Sequence, residues 1–221
     1  MTTQLSNPKI TQDIMIILDE SGSMGTMGYE PVQAVNAFIE EQKKTLDKDG
    51  STFSLWTFNS IVKKVIDDVP LHDVDEFKDY KPDSMTALYD AIGEAINNKK
   101  KKEKYDDVVC VILTDGLENS SNVFNISQIK TMIKDMETNH NWKFVYLGAN
   151  QDAFAVGGDM GMRADCCSEY RCEPGEMIGA TREVSKAVSS YRTRSATDGK
   201  EAKFTLKDDR KFQSAPPNFN S

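Results

Sequence analysis

The sequence predicts a three-layer α/β domain built on a mostly parallel sheet, and three observations carry that prediction. Two near-continuous apolar runs, Ile14-Met15-Ile16-Ile17-Leu18 and Val108-Val109-Cys110-Val111-Ile112-Leu113, read as strands buried on both faces. Stretches of helical periodicity alternate with these and later strand-like runs. Phe53–Phe58 and Ile61–Ile66, joined by Asn59-Ser60, read as a hairpin, so at least one edge strand is antiparallel.

Taken in order, residues 1–11 are a polar lead-in and the first strand covers 13–18. Pro31 opens a helix whose apolar positions Val32, Val35, Phe38, Ile39 and Leu46 run on to Lys48, and Asp49-Gly50 closes it. The hairpin follows, with Lys63 and Lys64 as charges that protect an exposed edge. Asp67 to Ser84 is an acidic connection with two prolines and reads as loop. Thr86 to Lys100 reads as a helix with Ala87, Leu88, Ala91, Ile92, Ala95 and Ile96 inward.

The strand Val108–Leu113 ends at Thr114-Asp115-Gly116. The next helix spans about Ile126 to Thr138, with Asn125 or Ser127 as its cap. Trp142–Leu147 is a strand, Gln151–Val156 a short helix broken at Gly157-Gly158, and 162–168 a last short strand. Pro174 starts the final helix, striped by Met177, Ile178, Val184, Ala187, Val188 and Tyr191. The domain is expected to span 12–195, and residues 196–221 form a polar tail, disordered or draped over the body.

Composition narrows the class. Hydrophobic residues make up 38% and charged residues 28%, as in a soluble globular protein. A formal charge of -8 argues against general nucleic-acid binding, which needs phosphates neutralised. The basic run Asn97–Lys104 reads as the solvated end of a helix. No signal-like or membrane-spanning apolar segment is present, so neither export nor a membrane anchor is expected. Cys110 reads as a core residue; Cys166, Cys167 and Cys172 lack zinc-like spacing or a nearby histidine and read as free thiols, with zinc or a disulfide as the lesser alternatives. Together these features lead to the expectation of a cytoplasmic protein.

The chemistry lies at the strand ends. Asp19-Glu20-Ser21-Gly22-Ser23 follows the first buried strand, Thr86 stands at a helix start, and Asp115 follows the second buried strand. In a parallel sheet such tips share the carboxyl edge, where ligands bind. Asp19, Ser21, Ser23, Thr86 and Asp115 make an all-oxygen set suited to a small, hard cation such as Mg2+. Hydroxyls bring no formal charge. If one or both carboxylates act through water, the ion stays electrophilic toward an incoming carboxylate. Gly22 is expected to let the backbone turn between the two serines.

Asp19-x-Ser21-x-Ser23, with Thr86 and Asp115, resembles the metal ion-dependent adhesion site, or MIDAS, of the von Willebrand factor A family. Thr86-Ala87-Leu88-Tyr89-Asp90-Ala91-Ile92 is similar to the helix that follows the family threonine. The resemblance covers about Gln12 to Tyr191. It implies a Rossmann-like, doubly wound sheet in strand order 3-2-1-4-5-6, with strand three antiparallel. It implies that Ser21, Ser23 and Thr86 bind the ion directly and that one or both of Asp19 and Asp115 act through water. It also implies a partner's Asp or Glu as the completing ligand, and Mg2+, with Mn2+ as a second possibility. In some relatives the last helix shifts with the state of the site, which here implies coupling to the helix from about Pro174 to Arg194. Where many members carry a glycine pair before the threonine, this chain has Pro82-Asp83-Ser84-Met85. Asp83, Met85, Glu118 and Asn119 are candidates for the ligand-contacting rim.

The function expected is therefore a divalent-metal-dependent, adhesion-type protein-binding module, within or beside a larger intracellular assembly. One alternative is a structural or assembly component whose metal site takes no ligand from a partner. Another is a metal-dependent hydrolase, but no general base or nucleophile accompanies the ligands, and no Walker-type glycine loop is present.

Overall fold

The computed structural model describes residues 11–45, 50–102, 105–150, 152–198 and 202–206. The strands are β1 (Gln12–Asp19), β2 (Ser51–Phe58), β3 (Val62–Pro70), β4 (Asp107–Thr114), β5 (Trp142–Ala149) and β6 (Cys167–Tyr170). The helices are α1 (Glu30–Lys44), α2 (Leu88–Lys100), α3 (Ile126–Asn139), α4 (Ala153–Asp159) and α5 (Glu176–Asp198). One sheet runs in the order β3-β2-β1-β4-β5-β6. Only the β2–β3 pair is antiparallel; the others are parallel.

The period-2 alternation of β1 feeds two cores. Ile14, Ile16 and Leu18 pack with Val32, Val35 and Phe38 of α1 and Val184, Val188 and Tyr191 of α5. Met15 and Ile17 pack on the other face with Leu88 and Ile92 of α2 and Ile129 and Ile133 of α3. All five β1 side chains are fully buried. This explains a run that is apolar at every position, because each face of a central strand meets a helix layer. Asn125 caps α3 in a capping box: its side chain accepts from Gln128 N at 3.1 Å, and its own N–H donates to Gln128 Oε1 at 2.9 Å.

Several boundaries differ from expectation. β3 continues through the supposed loop to Pro70, with register shifts opposite Phe53, Leu55 and Trp56 that hide its alternation. A 3-10 turn, Leu71–Asp73, follows it. α2 starts at Leu88, so Thr86 and Ala87 precede the helix. α4 passes through Gly157 instead of stopping there. A methyl group at Gly157 would lie 2.4 Å from Cys167 Sγ, so the glycine allows close packing on β6. β6 begins at Cys167, several residues later than predicted. Lys48, the expected end of α1, falls outside the described residues.

The tail after α5 is not uniformly polar in its role. Phe204 is fully buried and meets the Tyr191 ring edge-on at 5.4 Å. Leu206 N donates to Asp165 O at 3.0 Å. Lys99, in the basic run expected to be solvated, is only 4% exposed. Its Nζ lies 2.8 Å from Asp13 Oδ2, 2.9 Å from Ser54 Oγ and in contact with Asp68. This ion cluster sits at the amino edge of the sheet, opposite the tips of β1 and β4. Cys110, Cys166 and Cys167 are buried free thiols, and Cys172 is a half-buried one.

Candidate metal centre

β1 and β4 are parallel neighbours, with Leu18 opposite Leu113. The residues that follow each strand therefore emerge side by side on one edge. Asp19 is buried, and its Oδ1 accepts from Ser21 N at 2.7 Å. Its Oδ2 accepts from Thr114 Oγ1 at 2.5 Å. Ser21 Oγ and Ser23 Oγ lie 3.2 Å apart, and Ser23 Oγ donates to Asp115 Oδ1 at 2.7 Å. A chain of short contacts thus joins Asp19, Ser21, Ser23 and Asp115.

Thr86 comes from the third segment. A methyl group at Gly116 would lie 3.0 Å from Thr86 Oγ1 and 3.7 Å from Asp19 Oδ2. The Thr86 hydroxyl and the Asp19 carboxylate therefore face the same space beside Gly116. The Thr86 backbone is clamped from two sides. Thr86 N donates to Asn119 Oδ1 at 2.8 Å, and Asn119 N donates back to Thr86 O at 3.0 Å. Ala87 N donates to Asn59 O at 2.8 Å, tying the segment to the β2–β3 turn.

The loops are also joined to one another. Gly22 N donates to Ser84 O at 3.1 Å, and Asp83 N donates to Glu20 O at 3.0 Å. A methyl group at Gly22 would lie 3.4 Å from Ser84 O, so this glycine makes room for a neighbouring backbone. Ser84 adopts φ +66°, the left-handed region that favours glycine.

The rim candidates divide by role. Asp83 and Met85 are exposed; Asp83 Oδ1 accepts from Ser84 N. Glu118 turns inward: Oε1 accepts from Ser120 N and Ser121 N, and Oε2 from Tyr89 N and Ser121 Oγ. It braces the β4–α3 loop against α2, and Asn119 holds Thr86 as described.

Three residues beyond the predicted set shape the centre. Thr114 bridges Asp19 and Gly116 N, the latter at 3.1 Å. Tyr80 OH donates to Asp19 O at 2.7 Å. Glu20 is buried, accepting from Lys81 N at 2.7 Å and pairing with Lys63 at 3.1 Å. Thr114 was the most accessible from sequence, being the lone hydroxyl at the end of an apolar run.

Burial pushes the Asp19 carboxyl up to about 6, against the hydrogen bonds from Thr114 and Ser21, and the nearby Asp115 charge adds to the rise. Burial raises Asp115 as well. Neither carboxylate forms an ion pair with a basic side chain among the described residues. Two acids converging without a cation, beside hydroxyls and a glycine-kept space, form a donor set that fits a small divalent ion. Among the described residues no group of three or more His, Cys, Asp or Glu side chains gathers in a way that could hold a metal, so hydroxyls are needed for any such site. His72 follows β3 and His140 precedes β5, which puts both at the opposite edge.

A family model described as the von Willebrand factor type A domain matches residues 13–156. No curated protein matches the sequence. Among solved structures, proximal thread matrix protein 1 from the mussel byssus aligns at 15% identity, over 82% of this chain and 46% of that one, with TM-score 0.60. A second structure of that protein, described as having a zinc-occupied MIDAS motif, aligns at 15% identity over the same shares, with TM-score 0.58. The ArnB paralog VWA2 from Sulfolobus acidocaldarius aligns at 16% identity, over 83% of this chain and 46% of that one, with TM-score 0.52. The chain thus spans a little under half the length of these structures. The cytoplasmic expectation does not stand: the fold is shared with a protein of the mussel byssus. No helix among the described residues is long and apolar enough to cross a membrane.

Proposed function

We propose, from the premise that this chain belongs to the von Willebrand factor type A domain family, that it is a divalent-metal-dependent protein-binding module. Domains of this family are non-catalytic adhesion and protein-binding modules, and they generally engage an Asp or Glu of the partner. The observation that carries the metal-dependent reading is the pairing of Asp19 and Asp115. They approach one another through Ser21 and Ser23, and no basic side chain among the described residues balances them.

In this reading Asp19, Ser21, Ser23, Thr86 and Asp115 would hold the ion, as a complete MIDAS. Mg2+ suits the set best, with Mn2+ next, because every donor is a hard oxygen. When bound, the ion supplies one electrophilic position for a carboxylate on a partner protein. Thr114 and Tyr80 hold Asp19 by its side chain and its carbonyl, and Asn119 holds Thr86. These residues orient the donors before anything binds. The proposed unit spans residues 12–195.

Affinity capture in Mg2+ against capture in chelator, with Asp19→Ala as control, tests the reading. Capture should require both the metal and Asp19. Metal binding that leaves partner capture unchanged, in chelator and in Asp19→Ala alike, would sink it and favour a structural role.

A further inference from the structure

Large apolar side chains are exposed beside the metal-site loops. Ile61 is 65% exposed, Met85 52% and Leu117 59%. Isolated exposed apolar residues are common and mean little. These three are not isolated from the site. Met85 directly precedes Thr86, and Leu117 follows Gly116, which faces Thr86 and Asp19. Ile61 adjoins Ser60, whose Oγ accepts from Met85 N at 3.2 Å. The β2–β3 turn, the β3–α2 connection and the β4–α3 loop thus each carry one exposed apolar residue adjoining the site. Tyr29, 53% exposed, follows the 3-10 turn Gly22–Met27 after β1.

These side chains fill no core, so packing does not demand them. The rim also carries Asp83, exposed and without a basic partner among the described ion pairs. A run of acids would meet repulsion there, whereas one carboxylate set among apolar side chains would not. An apolar surround also excludes water from a central polar contact.

We infer that the partner is a polypeptide segment bearing a single Asp or Glu flanked by large apolar residues, with Ile61, Met85 and Leu117 reading the flanks. This rests on the metal-dependent reading above. A lone carboxylate cannot identify a partner, so specificity has to come from such neighbours.

The test selects a displayed random-peptide library on the full chain in Mg2+, with elution by chelator. Enriched peptides should carry one acid with apolar residues within about three positions. The same selection on Ile61→Ser/Met85→Ser/Leu117→Ser should keep the acid and lose the apolar flanks. The best wild-type peptide should bind this variant on the order of tenfold more weakly or worse. A serine-flanked acidic peptide should change by less than about twofold, since exposed substitutions away from a contact do little. Acidic peptides with no apolar preference, or equal binding of the best peptide by both proteins, would overturn the inference while leaving the metal-dependent reading standing. No chelator-sensitive selection at all would overturn both.

Discussion

Thr114 Oγ1 donates to Asp19 Oδ2 at 2.5 Å, across the seam between two parallel strands that are 95 residues apart in sequence. Asp19 is fully buried, and this contact fixes which way its carboxylate faces. Thr114→Val keeps the shape and removes the donor. Ion affinity should fall about 10–100-fold, as for other groups that orient a ligand from behind. Thr114→Ser should restore most of it. Calorimetric titration with Mg2+ and Mn2+ reads the effect, and unchanged affinity in the valine variant would count against this positioning role.

Gly116 is kept small by its neighbours. Gly116→Ala would put a methyl group 3.0 Å from Thr86 Oγ1. Thr86 is clamped through its backbone, so its side chain must turn away. The expected outcome is weaker ion binding with a thermal midpoint, measured in chelator, within a few degrees of wild type. A large drop in that midpoint would instead show that the glycine serves the fold.

The amino edge of the sheet predicts an acid limb of stability. Burial alone would raise the Asp68 carboxyl, but hydrogen bonds from Lys102 and Lys99 outweigh it and hold it well below the usual carboxylate range. A lowered folded-state value means stability that is complete above the unfolded value near 4 and is lost as pH falls below it. Buried Asp13 and Asp107 are shifted upward, chiefly by burial, and contribute in the opposite sense. The melting-temperature difference between wild type and Asp68→Asn should therefore be largest near neutral pH and shrink below about pH 4. A difference constant from pH 3 to 7 would exclude this assignment.

Glu30, the first residue of α1, ties that helix to the start of the last one. Its carboxylate accepts from Gly175 N at 3.0 Å and Ile178 N at 3.2 Å, two amides at the start of α5. Such N-terminal amides lack partners within their own helix. Glu30→Ala should speed hydrogen exchange at the first turn of α5, with a stability loss of about 0.5–2 kcal/mol. If ion binding at the β1 loop is coupled to α5, Mg2+ should slow exchange there in wild type and not in Glu30→Ala. Equal exchange with and without Mg2+ in wild type would argue against coupling.

The strands and helices were legible because their signals are local. The uninterrupted apolar run of β1 marks a strand covered on both sides, and the polar tips follow directly after such runs. Boundaries were less legible where tertiary contacts overrode the pattern. Gly157 reads as a helix breaker until Cys167 is seen against it. The bulges between β2 and β3 mask an alternation that runs on to Pro70. Lys99 reads as a solvated end-of-helix charge until Asp13 and Asp68 are found around it.

Periodicity and chain order are enough to put Asp19, Ser21, Ser23, Thr86 and Asp115 at or beside element ends. Which neighbours hold them depends on how distant segments pack. The Thr114–Asp19, Tyr80–Asp19 and Asn119–Thr86 contacts join distant segments. Such pairings depend on strand register and loop docking, which no local pattern encodes. The same holds for Phe204 against Tyr191: a phenylalanine in a largely polar tail becomes a core residue only when the fold offers it a place to pack.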